Sequence, residues 1–140
     1  RQIPCNVKGN HWTLTVVNIQ LKTIDYYDPK GPMDGTLPSN CKDFIWNLRR
    51  WLKKQYDCHR NQKLDNGAFP ATLNSNIPRL SDFNTCDSGV FIMEFAALIA
   101  REEPLDVVQE LRVPSITEGT YYYRKKITYE LSNFVFFDRN

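Results

Sequence analysis

The chain has 140 residues, enough for one domain with a real core and too few for two. Eighteen Lys and Arg against sixteen Asp and Glu leave a formal net charge of +2, mixed in sign and without a basic block, so composition offers no argument for nucleic acid or an anionic membrane as a partner. No apolar segment approaches the roughly twenty residues that span a bilayer, and Arg1-Gln2-Ile3-Pro4 lacks the apolar centre of a signal peptide.

In chain order, Ile3 and Val7 around Pro4, followed by Lys8-Gly9-Asn10, read as a strand end and a turn. From His11 the run Trp12, Leu14, Val16, Val17 and Ile19 predicts a buried strand, rich in residues that fit a pleated surface. A short polar link then leads to a second strand, Thr23 to Asp28, and the two form an antiparallel hairpin. Pro29 to Gly35 is dense in turn formers and reads as a loop. Between Ser39 and Tyr56, Cys41, Phe44, Ile45, Leu48, Trp51, Leu52 and Tyr56 recur every three or four residues, which predicts a helix with one apolar face. Its Lys42, Arg49, Arg50, Lys53 and Lys54 read as a solvated face. His59 to Ala68 is polar and turn-rich, and Phe69 to Ile77 has room for a short strand ended by Pro78.

A second helix is predicted from about Ser88 to Arg101, closed by Glu102-Glu103-Pro104. Leu105 to Leu111 reads as a short helix or turn, and Val113-Pro114 breaks the chain. Thr117 to Thr120 offers polar groups to cap a last helix carrying Tyr122, Tyr123, Ile127, Tyr129 and Leu131, read as packing residues. Phe134 to Phe137 is apolar enough to dock on the domain body or on a missing part of it.

Chemistry concentrates at Asn84-Thr85-Cys86-Asp87-Ser88-Gly89-Val90-Phe91, a polar turn set directly before the apolar helix. Unpaired N–H groups and the positive helix end favour an anion there, which suits a nucleophile. Capping by Asp87 and Ser88 is the simpler account of the same residues. Of two histidines, His11 opens one strand of the hairpin and Asp28 closes the other, so the two ends lie side by side. A carboxylate on one imidazole nitrogen fixes the tautomer and leaves the other nitrogen to act on a nucleophile from elsewhere, here Ser88. A surface histidine without function is the alternative for His11. Cys5, Cys41, Cys58 and Cys86 match no zinc spacing and are too sparse for a disulfide scaffold, which predicts a reducing compartment, nucleus or cytoplasm, with most thiols buried.

Taken together, His11-Trp12-Thr13-Leu14, Tyr26-Tyr27-Asp28 and Asn84 to Phe91, in that order and with 17 residues from His11 to Asp28, resemble the ubiquitin-like-protein-specific cysteine proteases, the deSUMOylating or sentrin-specific group. The resemblance implies an α+β, papain-like fold with a small, mostly antiparallel sheet packed on a central helix beginning near Ser88. It implies that residues 1–140 are the C-terminal major part of a catalytic domain whose N-terminal part is missing. It makes His11 the general base, Asp28 its orienting carboxylate and Ser88 the nucleophile position, where the family has cysteine. Trp12 matches the tryptophan covering the channel for a Gly-Gly tail, a channel that excludes side chains sterically. The implied activity is cleavage of a peptide or isopeptide bond after that tail, with SUMO or another ubiquitin-like protein and its conjugates as partners. No cofactor, metal or membrane is implied.

Two departures bear on activity. A serine hydroxyl ionises far less readily than a thiol, so Ser88 implies severely impaired turnover. The oxyanion-hole glutamine of the family falls at Asp82, and a carboxylate donates no hydrogen bond unless protonated. The Ser88 N–H and Asn84 are substitutes for it. Two other functions stand beside the protease: an inert module that binds ubiquitin-like proteins, and a nucleic-acid-binding domain supported only by the basic helix around Arg49 to Lys54.

Overall fold

The structure, a computed structural model, describes residues 1–32, 34–60, 63–65, 67–80, 87–105 and 116–133. Four strands, β1 (Gln2–Val7), β2 (His11–Asn18), β3 (Thr23–Tyr27) and β4 (Ala71–Leu73), form one sheet in the order β1-β2-β3-β4. The first three are antiparallel neighbours, and β4 joins β3 in parallel. Among the described residues three helices accompany them: α1 (Ser39–Arg60), α2 (Ser88–Ala100) and α3 (Ile116–Asn133).

The β2–β3 hairpin forms where the alternation places it, and Asp28 falls one residue beyond β3. Residues before His11 make a full six-residue strand rather than a strand end. Lys8 and Gly9 both take positive φ, 54° and 82°, and this tight reversal lets Val7 pair with His11.

Strand alternation sends side chains to two faces, each covered by a helix. Val17, Ile24, Tyr26 and Leu73 pack with Ile45, Leu52 and Tyr56 of α1 and with Phe69. Leu14 and Tyr27, of opposite parity, pack with Val90, Ile92, Phe95 and Leu98 of α2 and with Tyr123 of α3. The sheet is therefore a shared wall between two small cores, and α2 stands against the strand that begins with His11.

Several boundaries differ from expectation. α1 continues about a turn past Tyr56, and Trp51 is half exposed at the edge of its apolar face. The short strand expected in Phe69 to Ile77 is three residues long. α3 begins at Ile116, so Thr117 to Thr120 lie within its first turns instead of capping it from outside. Residues 106–115 and 134–137, read as a helix or turn, a break and a docking tail, lie outside the described residues. Among the described residues no helix is long and apolar enough to cross a membrane.

Candidate active site

His11 sits at the open end of the hairpin. Continuing the observed register by one residue past Leu14–Tyr27 places Thr13 opposite Asp28, which makes His11 the diagonal neighbour of Asp28 on the same face. His11 Nε2 lies 2.7 Å from Asp28 Oδ1, with Asp28 buried and His11 partly so. Nε2–H donates to the carboxylate, which leaves Nδ1 as the nitrogen able to exchange a proton with a nucleophile.

A tight turn fixes the carboxylate. The Lys30 N–H donates to Asp28 Oδ1 at 2.8 Å, and the Gly31 N–H donates to the Asp28 carbonyl at 2.9 Å. A Cβ at Gly31 would stand 3.0 Å from Asp28 Cβ, so the turn closes this tightly only around glycine.

Ser88 is the first residue of α2 and is 2 % exposed. Its Oγ accepts a hydrogen bond from the Trp12 backbone N–H at 3.0 Å. That N–H is available for a reason legible in the ladder. Arg1 and Val17 exchange both backbone hydrogen bonds, so odd residues of β2 bond toward β1 and even ones toward β3. Trp12 would face Pro29, but β3 has ended, and the Pro29 carbonyl accepts the Leu80 N–H at 2.9 Å instead. The residue following His11 thus turns its backbone donor on Ser88.

The indole of Trp12 lies over the start of α2. A Cβ at Gly89 would stand 3.2 Å from Trp12 Cδ1, closer than ordinary contact, and the ring remains 40 % exposed. Trp12 is accordingly a surface wall beside Ser88 rather than a core residue.

The capping account of the turn is corrected by the structure. Asp87 occupies the N-cap position without a side-chain cap hydrogen bond, and its carboxylate instead takes the Arg124 guanidinium of α3, with Nε at 3.0 Å. A second tie between these helices joins Lys126 Nζ to Glu94 Oε2 at 2.8 Å, with Glu94 buried. Both ties escape sequence reading because they join residues more than thirty positions apart with no local pattern.

The structure therefore brings His11 and Asp28 together, and Ser88 against the backbone beside them. Asp82, Asn84 and Cys86 lie outside the described residues. Among the described residues, neither the partly buried Cys5 nor the buried Cys41 carries an activated thiol. Burial pushes the thiols of Cys5 and Cys41 up, and the Asp28 charge adds to this at Cys41. Among the described residues no group of three or more His, Cys, Asp or Glu side chains is placed to hold a metal ion. A cleft of about 360 Å³ on the α1 side of the sheet, lined by Ile3, Val17, Leu48, Trp51, Tyr56 and His59, has no Ser, Thr or Cys in its lining.

A small sheet walled by a central helix, with the histidine strand running to that helix's N-terminus, is the papain-like α+β architecture. The chain belongs to the Ulp1 protease family, whose C-terminal catalytic domain its sequence matches over residues 2–132. Solved structures of the SUMO protease Ulp1 with the catalytic cysteine oxidised to a sulfonic or a sulfinic acid superpose with TM-scores of 0.58 and 0.57 at 17% identity, and one oxidised to a sulfenic acid with 0.51 at 19%. Each match covers 75% of this chain and 43% of the other, so this chain spans less than half the length of those relatives.

Proposed function

We propose that the site is built to cleave the bond after the Gly-Gly tail of SUMO or a related ubiquitin-like modifier, with residue 88 as the nucleophile position. The observation that carries this is the His11–Asp28 pair at 2.7 Å, set on the same strand end whose next backbone N–H holds Ser88 Oγ. In that reading His11 Nδ1 takes the nucleophile's proton, Asp28 steadies the resulting imidazolium, and attack on the tail carbonyl forms an acyl intermediate that water then releases. The exposed Trp12 indole over Gly89 supplies one wall of the tail channel, where glycine alone lets an extended backbone pass. The names of the solved relatives support SUMO as the substrate class.

Ser88 changes the rate and leaves the arrangement. A thiol passes its proton to an imidazole near neutral pH, whereas a hydroxyl does not, so the chain as it stands turns over severely slowly or not at all. An inert module that binds ubiquitin-like proteins is the second reading, favoured by Ser88 itself and by a carboxylate at Asp82. The S88C variant separates the two when assayed on fluorogenic SUMO and ubiquitin substrates. Cleavage that depends on His11 supports the protease. Retained binding of SUMO with no cleavage by S88C supports the inert module.

A further inference from the structure

The usual partner of an oxyanion in such a site is a side-chain donor, and the position expected to supply it holds Asp82. The described residues contain a different donor that touches the reacting atom. We propose that the Trp12 backbone N–H is a catalytic hydrogen-bond donor of this site, stabilising negative charge on the heteroatom of residue 88, and that the chain reversal at Pro29 keeps it free. This deepens the reading of residue 88 as a nucleophile and rests on it.

Every N–H of a strand is ordinarily consumed by the ladder or by water, and a buried one needs a partner. Even-numbered residues of β2 spend theirs on β3, as the pairs of Leu14 with Tyr27 and Val16 with Asp25 show. Trp12 alone among them lies beyond the last paired residue of β3. Proline at position 29 has no N–H to return to Trp12, and its carbonyl is occupied by Leu80. The freed Trp12 N–H meets Ser88 Oγ at 3.0 Å, at a side chain that is 2 % exposed. The acceptor is therefore shielded from water, and a donor aimed at a developing anion in such surroundings gains strength. Among the described residues, charged groups beside position 88 are paired with each other: His11 with Asp28, and Asp87 with Arg124. Being main-chain, the donor does not depend on the side chain at residue 82, and at residue 12 only proline removes it.

Amide NMR on the whole chain tests this without needing turnover. In S88A, Trp12 N–H loses its acceptor, and its hydrogen exchange should quicken about tenfold, the size of one net hydrogen bond. In S88C, the Trp12 amide proton should move downfield as the thiol ionises, through a pH transition that S88A lacks. An unchanged Trp12 exchange rate in S88A, together with no such transition in S88C, overturns the proposal. Cleavage is a separate readout: an S88C protein that is inactive while its Trp12 amide still titrates upholds the donor and counts against the protease reading alone.

Discussion

One carboxylate oxygen, Oδ1 of Asp28, accepts both the His11 imidazole at 2.7 Å and the Lys30 backbone N–H at 2.8 Å. The second bond holds the oxygen in place for the first, so the orientation of His11 depends on the turn after β3 as much as on β2. In the S88C background, D28A removes the group that orients and stabilises the imidazolium. Steady-state kinetics on a SUMO substrate should show kcat down about a hundredfold to ten-thousandfold, with KM little changed.

The contact between Trp12 and Gly89 makes a steric prediction. In G89A the new Cβ stands 3.2 Å from Trp12 Cδ1, and the exposed indole shifts to accommodate it. Thermal stability should fall by less than about 1 kcal/mol, since the ring can yield toward solvent. In the S88C background kcat/KM should drop about tenfold or more, because small misplacements at a tail-binding wall are costly. An unaltered kcat/KM would remove Trp12 from the channel.

Lys126 and Glu94 tie α3 to α2, with the Glu94 side chain only 5% exposed and that of Lys126 26%. K126M strands a buried carboxylate and should cost about 2–4 kcal/mol in urea unfolding, toward the low end because the lysine keeps contact with water. The double variant E94L/K126M removes both charges and should recover a large part of that loss.

Asp25 predicts a pH dependence of stability. Burial pushes its carboxyl above the ordinary value of 3.8. The folded chain therefore holds this proton more tightly than the unfolded chain, so the stability it contributes is fully present below the unfolded value and is lost as pH rises through the folded one. D25N should be more stable than the parent at neutral pH. Calorimetry between about pH 3 and 7 should show the difference between the two shrinking toward the acid end.

Much of the fold and part of the candidate site were legible in the sequence, for identifiable physical reasons. Alternation of β-branched residues marked β2 and β3, and hairpin geometry alone brought His11 to Asp28. The apolar run after Ser88 marked α2. Features set by long-range contacts were not legible. β1 gains its length from pairing with β2, although Pro4 and a run of mixed polarity conceal it. The parallel strand β4 is fixed by β3 rather than by its own three residues. Asp87 looked like a cap because its residue type suits one, yet an arginine 37 positions away claims its carboxylate. Pro29 carried a usable signal: a proline directly after Asp28 announces that the ladder ends there, leaving Trp12 N–H unspent.

In the proposed reaction, residue 88 meets the carbonyl of a Gly-Gly tail. The most direct measurement is covalent capture of S88C by SUMO carrying a thiol-reactive electrophile in place of its last glycine, with the site mapped by mass spectrometry. One adduct is expected, at residue 88, formed far more slowly in H11A/S88C and not formed when the remaining tail glycine is replaced by alanine. No adduct at residue 88, or labelling indifferent to His11 and to the tail, would contradict it.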